Sequence, residues 1–276
     1  MASRIFLVVI GGLLISSMWI DVDAQVVRDS VPELQKIDII EHPGDTVPLQ
    51  LAFNDDAGRP VQLAEYFHRG KPVVLTLAYY NCPMLCTVVL NGLSDAVREL
   101  DLRPEQDFLL VTVSINPNET AELAAGKRSR YMQALGEQGQ NNGWRFLVGD
   151  STQSRALAEA IGFKYFYDEA IKEYAHPAGA FVLTPDGVIS RYLYGLDFKP
   201  RDLKFALIEA SHGKIGTTLD RLILYCYHYD PAAKGYVVLA GNIMKLGGLL
   251  TLVILTVFLS LLWARERRYR AARVAA

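Results

Sequence analysis

The sequence predicts an α/β domain with a central mixed sheet flanked by helices, an added N-terminal β-hairpin in front of it and a C-terminal transmembrane helix behind it. Three observations carry this reading. From Val73 onward, apolar runs of strand length alternate with stretches whose apolar residues fall at helical spacing. The last two strands bracket the turn signal Pro185-Asp186-Gly187. Beyond the domain, Leu246 to Trp263 is a run of 18 residues without a charge, which is about the minimum for a helix that spans a bilayer.

Taken in order, the chain opens MASRIFLVVIGGLLISSMWIDVDAQ. One arginine, Arg4, precedes an apolar run, and Val22-Asp23-Ala24 supplies small residues before a cleavage point, which predicts an export signal over residues 1–24. VPLQLAF and PVQLAEYF read as the hairpin, around Asp55-Asp56-Ala57-Gly58. PVVLTLAYY is nearly continuous in apolar residues, as a strand buried on both faces must be. CTVVLNGLSDAVREL follows as a helix, FLLVTVSI as a second buried strand, and ETAELAAGKRSRYMQAL as a second helix. WRFLVG is the third strand. Asp150-Ser151-Thr152 offers capping chemistry for a helix running to Ile161, and Gly162 stands where that helix should stop. GAFVLTP and SRYLYG are the last strands, and KPRDLKFALIEASHG is a final helix ending at Gly213.

The expected organisation is a signal at 1–24, one domain at 25–215, an aromatic-rich juxtamembrane linker at 216–239, a transmembrane helix at 240–263 and a basic tail at 264–276. The tail carries five arginines against one glutamate, which the positive-inside rule assigns to the cytoplasm. The main domain is then extracytoplasmic, on the periplasmic face of the inner membrane. The formal net charge of −2 conceals an asymmetry: without the charges of the signal and the tail, 22 basic residues face 27 acidic ones. A mildly acidic exported domain argues against nucleic acid as a partner. Three cysteines are an odd count for this compartment, so at least one thiol is committed to something other than an intramolecular disulfide.

NCPMLC carries two of them. Cys82 lies in the loop leaving the first core strand and Cys86 in the first turn of the helix that follows. The positive end of the helix dipole favours thiolate there, and residues at i and i+4 project to one side of a helix. The spacing suits a shared metal ion and equally suits a disulfide. Met84, inside the loop, reads as an apolar lining or partner contact more readily than as a soft ligand. His176, in KEYAHPAGAFVLTPDG, stands just before a strand. A lone loop histidine is usually solvated. In a thioredoxin-like sheet, however, the loop entering this strand packs beside the start of the cysteine-bearing helix, so His176 can complete a set of two thiolates and an imidazole.

VVLTLAYYNCPMLC, VTVSINPNET, WRFLVGDSTQSRALAEAIGFKY and HPAGAFVLTPDG together resemble the Sco/SenC family, thioredoxin-fold copper proteins of cytochrome c oxidase assembly. The resemblance runs from about Val47 to Ser211. It implies a thioredoxin-like fold, Cys82, Cys86 and His176 as copper ligands, and the copper-receiving subunit of a respiratory oxidase as partner. Thr87, Asn116 and Ala175 depart from the family pattern, and none of them removes a ligand. The donor set suits copper: soft thiolates select Cu(I), and an imidazole helps hold Cu(II). A structural zinc site normally uses four ligands.

Near the membrane, LILYCYHYDPAAKGY places Cys226 and His228 two residues apart in an extended stretch, so both face one side. They are an auxiliary metal-contacting pair, or part of a belt of tyrosines at the lipid interface. His42, His68 and His212 have no partner residues in the sequence and carry no assigned function. Two function classes follow. One is a metallochaperone that carries copper to a membrane oxidase. The other is an enzyme, a thiol-disulfide oxidoreductase using Cys82 and Cys86 to reduce a partner's cysteines. The first is favoured because the two-residue loop of thioredoxin-like reductants is missing and because a dithiol exchanger has no need of His176. A peroxidase reading is weaker still, since no acid or arginine stands out beside a single cysteine.

Overall fold

The computed structural model describes residues 37–81, 85–212, 216, 220, 223–224, 227–230, 233–238 and 240–274, with Leu85, Cys86 and His228 among those described by backbone alone. The chain begins with a two-residue strand β1 (Asp38–Ile39) and the hairpin β2 (Ala52–Asn54) and β3 (Pro60–Gln62). Both hairpin arms are shorter than the sequence predicts. Before β2 the chain turns, with Leu51 N–H donating to Pro48 O, because proline cannot donate to a ladder. After β3, Leu63–Tyr66 winds into a 3-10 turn closed by a capping box between Gln62 and Glu65, which turns Leu63 and Tyr66 into the core.

The core alternation follows. β4 (Val73–Ala78) leads to α1 (Leu85–Arg98), β5 (Leu109–Ser114) to α2 (Ala121–Ala134), and β6 (Trp144–Leu147) to α3 (Ser151–Ala160). Next come β7 (Phe163–Lys164), the hairpin β8 (Phe166–Asp168) and β9 (Glu173–Ala175), then β10 (Gly179–Leu183), β11 (Ile189–Tyr194) and α4 (Pro200–Ala210). The central sheet has the order β11-β10-β4-β5-β6. The β4–β5 and β5–β6 pairs are parallel, and β10 runs antiparallel to both β4 and β11. The fold class read from the sequence is therefore present: a mixed sheet with helices on its faces. Every residue of β4, β5 and β10 is buried, which is why those strands read as unbroken apolar runs. The two threonines inside the sheet are satisfied by one another, and Trp144 Nε1–H donates to Thr112 Oγ1 at 2.8 Å.

Caps form where the sequence places them. Asp150 Oδ1 accepts from Thr152 N and Gln153 N, starting α3. Gly162 ends it with φ +69, and a Cβ there would meet Ile40 O at 1.7 Å. At the end of α4 the left-handed residue is His212, φ +53, one position earlier than the predicted stop at Gly213, which lies outside the described residues.

Past α4 stands a further hairpin, β12 (Tyr227–Asp230) and β13 (Gly235–Val238), and then the long helix α5 (Ala240–Val274). The hairpin is packed on the domain. Tyr229 and Tyr236 are buried; Tyr229 Oη–H donates to Tyr192 O at 2.7 Å, and Tyr236 stacks edge-on against Phe205. Within α5, Met244–Trp263 is 20 residues of mean hydropathy 2.3 with none buried. At 1.5 Å per residue it is about 30 Å long, long and apolar enough to cross a bilayer.

Candidate metal centre

The site is positioned by strand register. β10 pairs with β4 as Phe181 to Leu75, Val182 to Val74 and Leu183 to Val73. Continuing that register past the strand ends brings His176, three residues before β10, level with Tyr80, two residues before Cys82. The loop entering β10 and the loop leaving β4 therefore lie side by side. The ring contacts agree: the His176 imidazole stands edge-on to Tyr79, 6.1 Å between centroids, and lies over Phe163 at 5.9 Å.

His176 is only 5% exposed. Its Nδ1 lies 2.8 Å from Pro177 O. A carbonyl can only accept, so Nδ1 carries a hydrogen, and in the neutral ring Nε2 is then the acceptor nitrogen. That is the arrangement of a metal-binding histidine oriented through its other nitrogen.

Cys82 lies outside the described residues. Cys86 is described by its backbone, in the first turn of α1. Cys226 also lies outside, and His228 is described by its backbone, opposite Val237 in the β12–β13 ladder. Among the described residues, no group of three or more His, Cys, Asp or Glu side chains could hold a metal ion. Of the residues that depart from the family pattern, Asn116 forms a local turn, its Oδ1 accepting from Asn118 N.

The sequence reading missed Glu119. This buried glutamate precedes the cap of α2, where Thr120 Oγ1 accepts from Leu123 N. Its Oε2 accepts from Tyr80 N at 2.8 Å and from Ser114 Oγ–H at 2.6 Å, and its Oε1 accepts from Asn81 N at 2.7 Å. The backbone that runs from β4 to Cys82 is thus gripped by one carboxylate. Tyr80 is held at its other end too, donating from Oη to Leu147 O at 2.7 Å. Burial, with the Glu119 charge added to it, pushes the Tyr80 phenol well above its ordinary range, so it stays a donor. In sequence, NPNET reads as a polar cap, and nothing in it signals a buried acid. Outside this framework lies a polar depression of about 500 Å3, bordered by Tyr79, Asn81, Asn116, Glu173 and Tyr174.

A mixed sheet in this order, with a cysteine in the first turn of the helix after its central strand and a histidine at the neighbouring strand entrance, defines a thioredoxin-like protein. The family model for SCO1/SenC matches residues 44–207, and the chain belongs to that family. Among solved structures it is similar to a protein from Aquifex aeolicus VF5 provisionally classed with electron transfer, at 25% identity and TM-score 0.55, covering 63% of this chain and 96% of that one. A second Aquifex aeolicus VF5 protein, provisionally classed with electron transport, aligns at 27% identity and TM-score 0.51, over 63% of this chain and 100% of that one. Copper-bound ScoI of Arabidopsis thaliana aligns at 16% identity and TM-score 0.49, over 62% and 99%. No curated protein matches the chain significantly.

Proposed function

We propose that this protein is a membrane-tethered copper metallochaperone of cytochrome c oxidase assembly, holding copper as cargo between Cys82, Cys86 and His176 and passing it to the copper-receiving subunit of the oxidase. The observation that carries this is His176: buried, with Nδ1 committed to Pro177 O and the ring at the end of β4 where the cysteine loop departs. A solvated loop histidine has no need of that orientation. Two thiolates and an imidazole suit copper in either oxidation state. Family membership supports the same reading. In it, residues 1–24 are a removed signal, 25–215 the exported domain and 240–263 the membrane span. The arginine-rich tail faces the cytoplasm, and α5 keeps the domain beside a membrane enzyme.

The test is a Cu(I) competition titration of the reduced, full chain in detergent micelles, beside His176→Ala and the Cys82→Ser/Cys86→Ser double variant. One tight equivalent is expected, weakened about tenfold or more by the histidine change and abolished by the double change. Wild-type binding that is indifferent to His176 removes the three-ligand site. A thiol-disulfide oxidoreductase then becomes the better reading, supported by the place of Cys86 in the first turn of the 14-residue helix α1.

A further inference from the structure

Glu119 has a geometry that a plain loop support does not need. Closing the loop after β4 requires acceptors for two adjacent N–H groups, and a turn of the chain supplies such acceptors at no cost in charge. Here a carboxylate does it, 9% exposed, with two backbone N–H groups and one hydroxyl as its donors. Among the described residues no lysine or arginine pairs with it. A charge in the interior is expensive to desolvate, and these donors stabilise it without cancelling it. One of them, Asn81 N, belongs to the residue directly before Cys82, and consecutive Cα atoms are only about 3.8 Å apart.

We propose that Glu119 is a positioning residue of the copper site, whose carboxylate fixes the backbone delivering Cys82 and holds an uncancelled negative charge beside the metal, favouring Cu(II) over Cu(I). The proposal rests on the reading that Cys82, Cys86 and His176 hold copper. Each additional negative charge near the site stabilises the doubly charged ion more than the singly charged one, and the low dielectric of the interior preserves the difference. Glu119→Gln and Glu119→Asp separate the two parts of the role. Glutamine keeps the length, loses the charge and turns an N–H donor toward one of the backbone N–H groups. Aspartate keeps the charge and falls short of one partner.

The experiment uses the full chain in detergent micelles, as wild type, Glu119→Gln, Glu119→Asp and Ser114→Ala. Cu(I) and Cu(II) affinities are measured against competing chelators, and amide hydrogen exchange at Tyr80 and Asn81 is followed in the copper-free protein, with circular dichroism to check folding. Glu119→Gln is expected to speed exchange at both amides and to lower the ratio of Cu(II) to Cu(I) affinity about tenfold, the scale of effects from groups behind a metal's ligands. Glu119→Asp is expected to weaken both affinities while keeping the ratio near wild type. Equal losses of Cu(I) and Cu(II) in both variants remove the electrostatic part and overturn the proposal. If neither Glu119 variant folds, Ser114→Ala decides: faster exchange at Tyr80 and Asn81 with weaker copper binding supports the role, and wild-type behaviour overturns it. A wild-type chain that takes up no copper overturns the copper reading and this inference together, whereas wild-type binding shared by folded Glu119 variants overturns this inference alone.

Discussion

Glu119 and Glu209 are glutamates folded against the domain at two different ends of its chain, and they are held by opposite means. Glu119, beside the candidate metal centre, receives neutral donors: Tyr80 N, Asn81 N and Ser114 Oγ–H. Glu209, on α4, receives a cation. Arg191 Nε lies 2.7 Å from its Oε2 as an ion pair, and Tyr236 Oη–H donates to the same oxygen at 2.5 Å. The Arg191 guanidinium also lies over the Tyr229 ring, 5.3 Å from its centre. The first arrangement leaves its charge available to a neighbour. The second cancels its charge and gains a joint, fastening the β12–β13 hairpin to the domain just before α5 begins. The family match stops at residue 207, so Glu209, Tyr229 and Tyr236 lie beyond it while their partners Arg191, Tyr192 and Phe205 lie within it. A site needs a field and an anchor needs packing, and the choice of donor distinguishes them.

The comparison is broken most strongly at Tyr236, which is 4% exposed and packed against Phe205 and Tyr229. Tyr236→Ala is expected to cost about 3 kcal/mol or more locally. The readout is loss of amide protection in β12 and β13 while β4, β5 and β6 stay protected and copper affinity is unchanged. If the sheet also loses protection, the hairpin is part of the core's cooperative unit and the two regions are not separable. Tyr236→Phe keeps the ring and removes one hydrogen bond to a charged group, about 1–2 kcal/mol. The joint is also sensitive to alkali. Burial, with the Glu209 charge added, pushes the Tyr236 phenol up, and burial with the Glu41 charge does the same for Tyr229. Both groups are raised above the ordinary value of 10.0. Their contribution to stability is therefore complete below pH 10 and is lost as pH rises through the folded-state values. Thermal unfolding followed with pH should show the decline beginning near pH 10 in the wild type and less steeply in Tyr236→Phe.

The fold was readable because buried strands leave little room for polar residues: β4, β5 and β10 announce themselves as apolar runs. The shorter ladders were not. FYD and EYA of β8 and β9 are half-buried and carry charge, and their pairing is a tertiary fact with little local pattern. The tyrosines of 227–238 suit a lipid interface as well as they suit a core, and only the partners Phe205, Arg191 and Tyr192 distinguish the two. At the candidate site, the place of His176 just before an apolar strand was legible. Glu119 was not, since its three donors come from two other elements and a buried glutamate in NPNET looks like a helix cap. The backbone at Cys86 stands where the sequence put it, at the start of α1.

A third carboxylate lies between the two cases and gives the smallest test. Asp55, in the β2–β3 turn, is 5% exposed. Its Oδ1 accepts from Ala57 N and Arg59 N at 2.9 Å, as Glu119 accepts from backbone, and its Oδ2 meets the Arg59 guanidinium at 2.7 Å, as Glu209 meets Arg191. Burial alone would push the Asp55 carboxyl up, but the hydrogen bonds from Arg59 and Ala57 outweigh it and hold the group below its ordinary value of 3.8. With the folded-state pKa depressed, the stabilisation is present above that ordinary value and is lost as pH falls through the folded one. Asp55→Ala should therefore lower stability by about 1 kcal/mol at neutral pH, with the difference from wild type closing below pH 3.8. The Arg59 side chain is largely exposed, so its ion pair contributes little and is screened by salt. If Arg59→Ala leaves most of the stability in place and 1 M salt (about a 3 Å screening length) changes the Asp55→Ala difference little, the backbone donors carry Asp55 and it belongs with Glu119. An Arg59→Ala loss as large as that of Asp55→Ala puts it with Glu209 instead, and shows that an exposed cation can do at a turn what a half-buried one does at the joint.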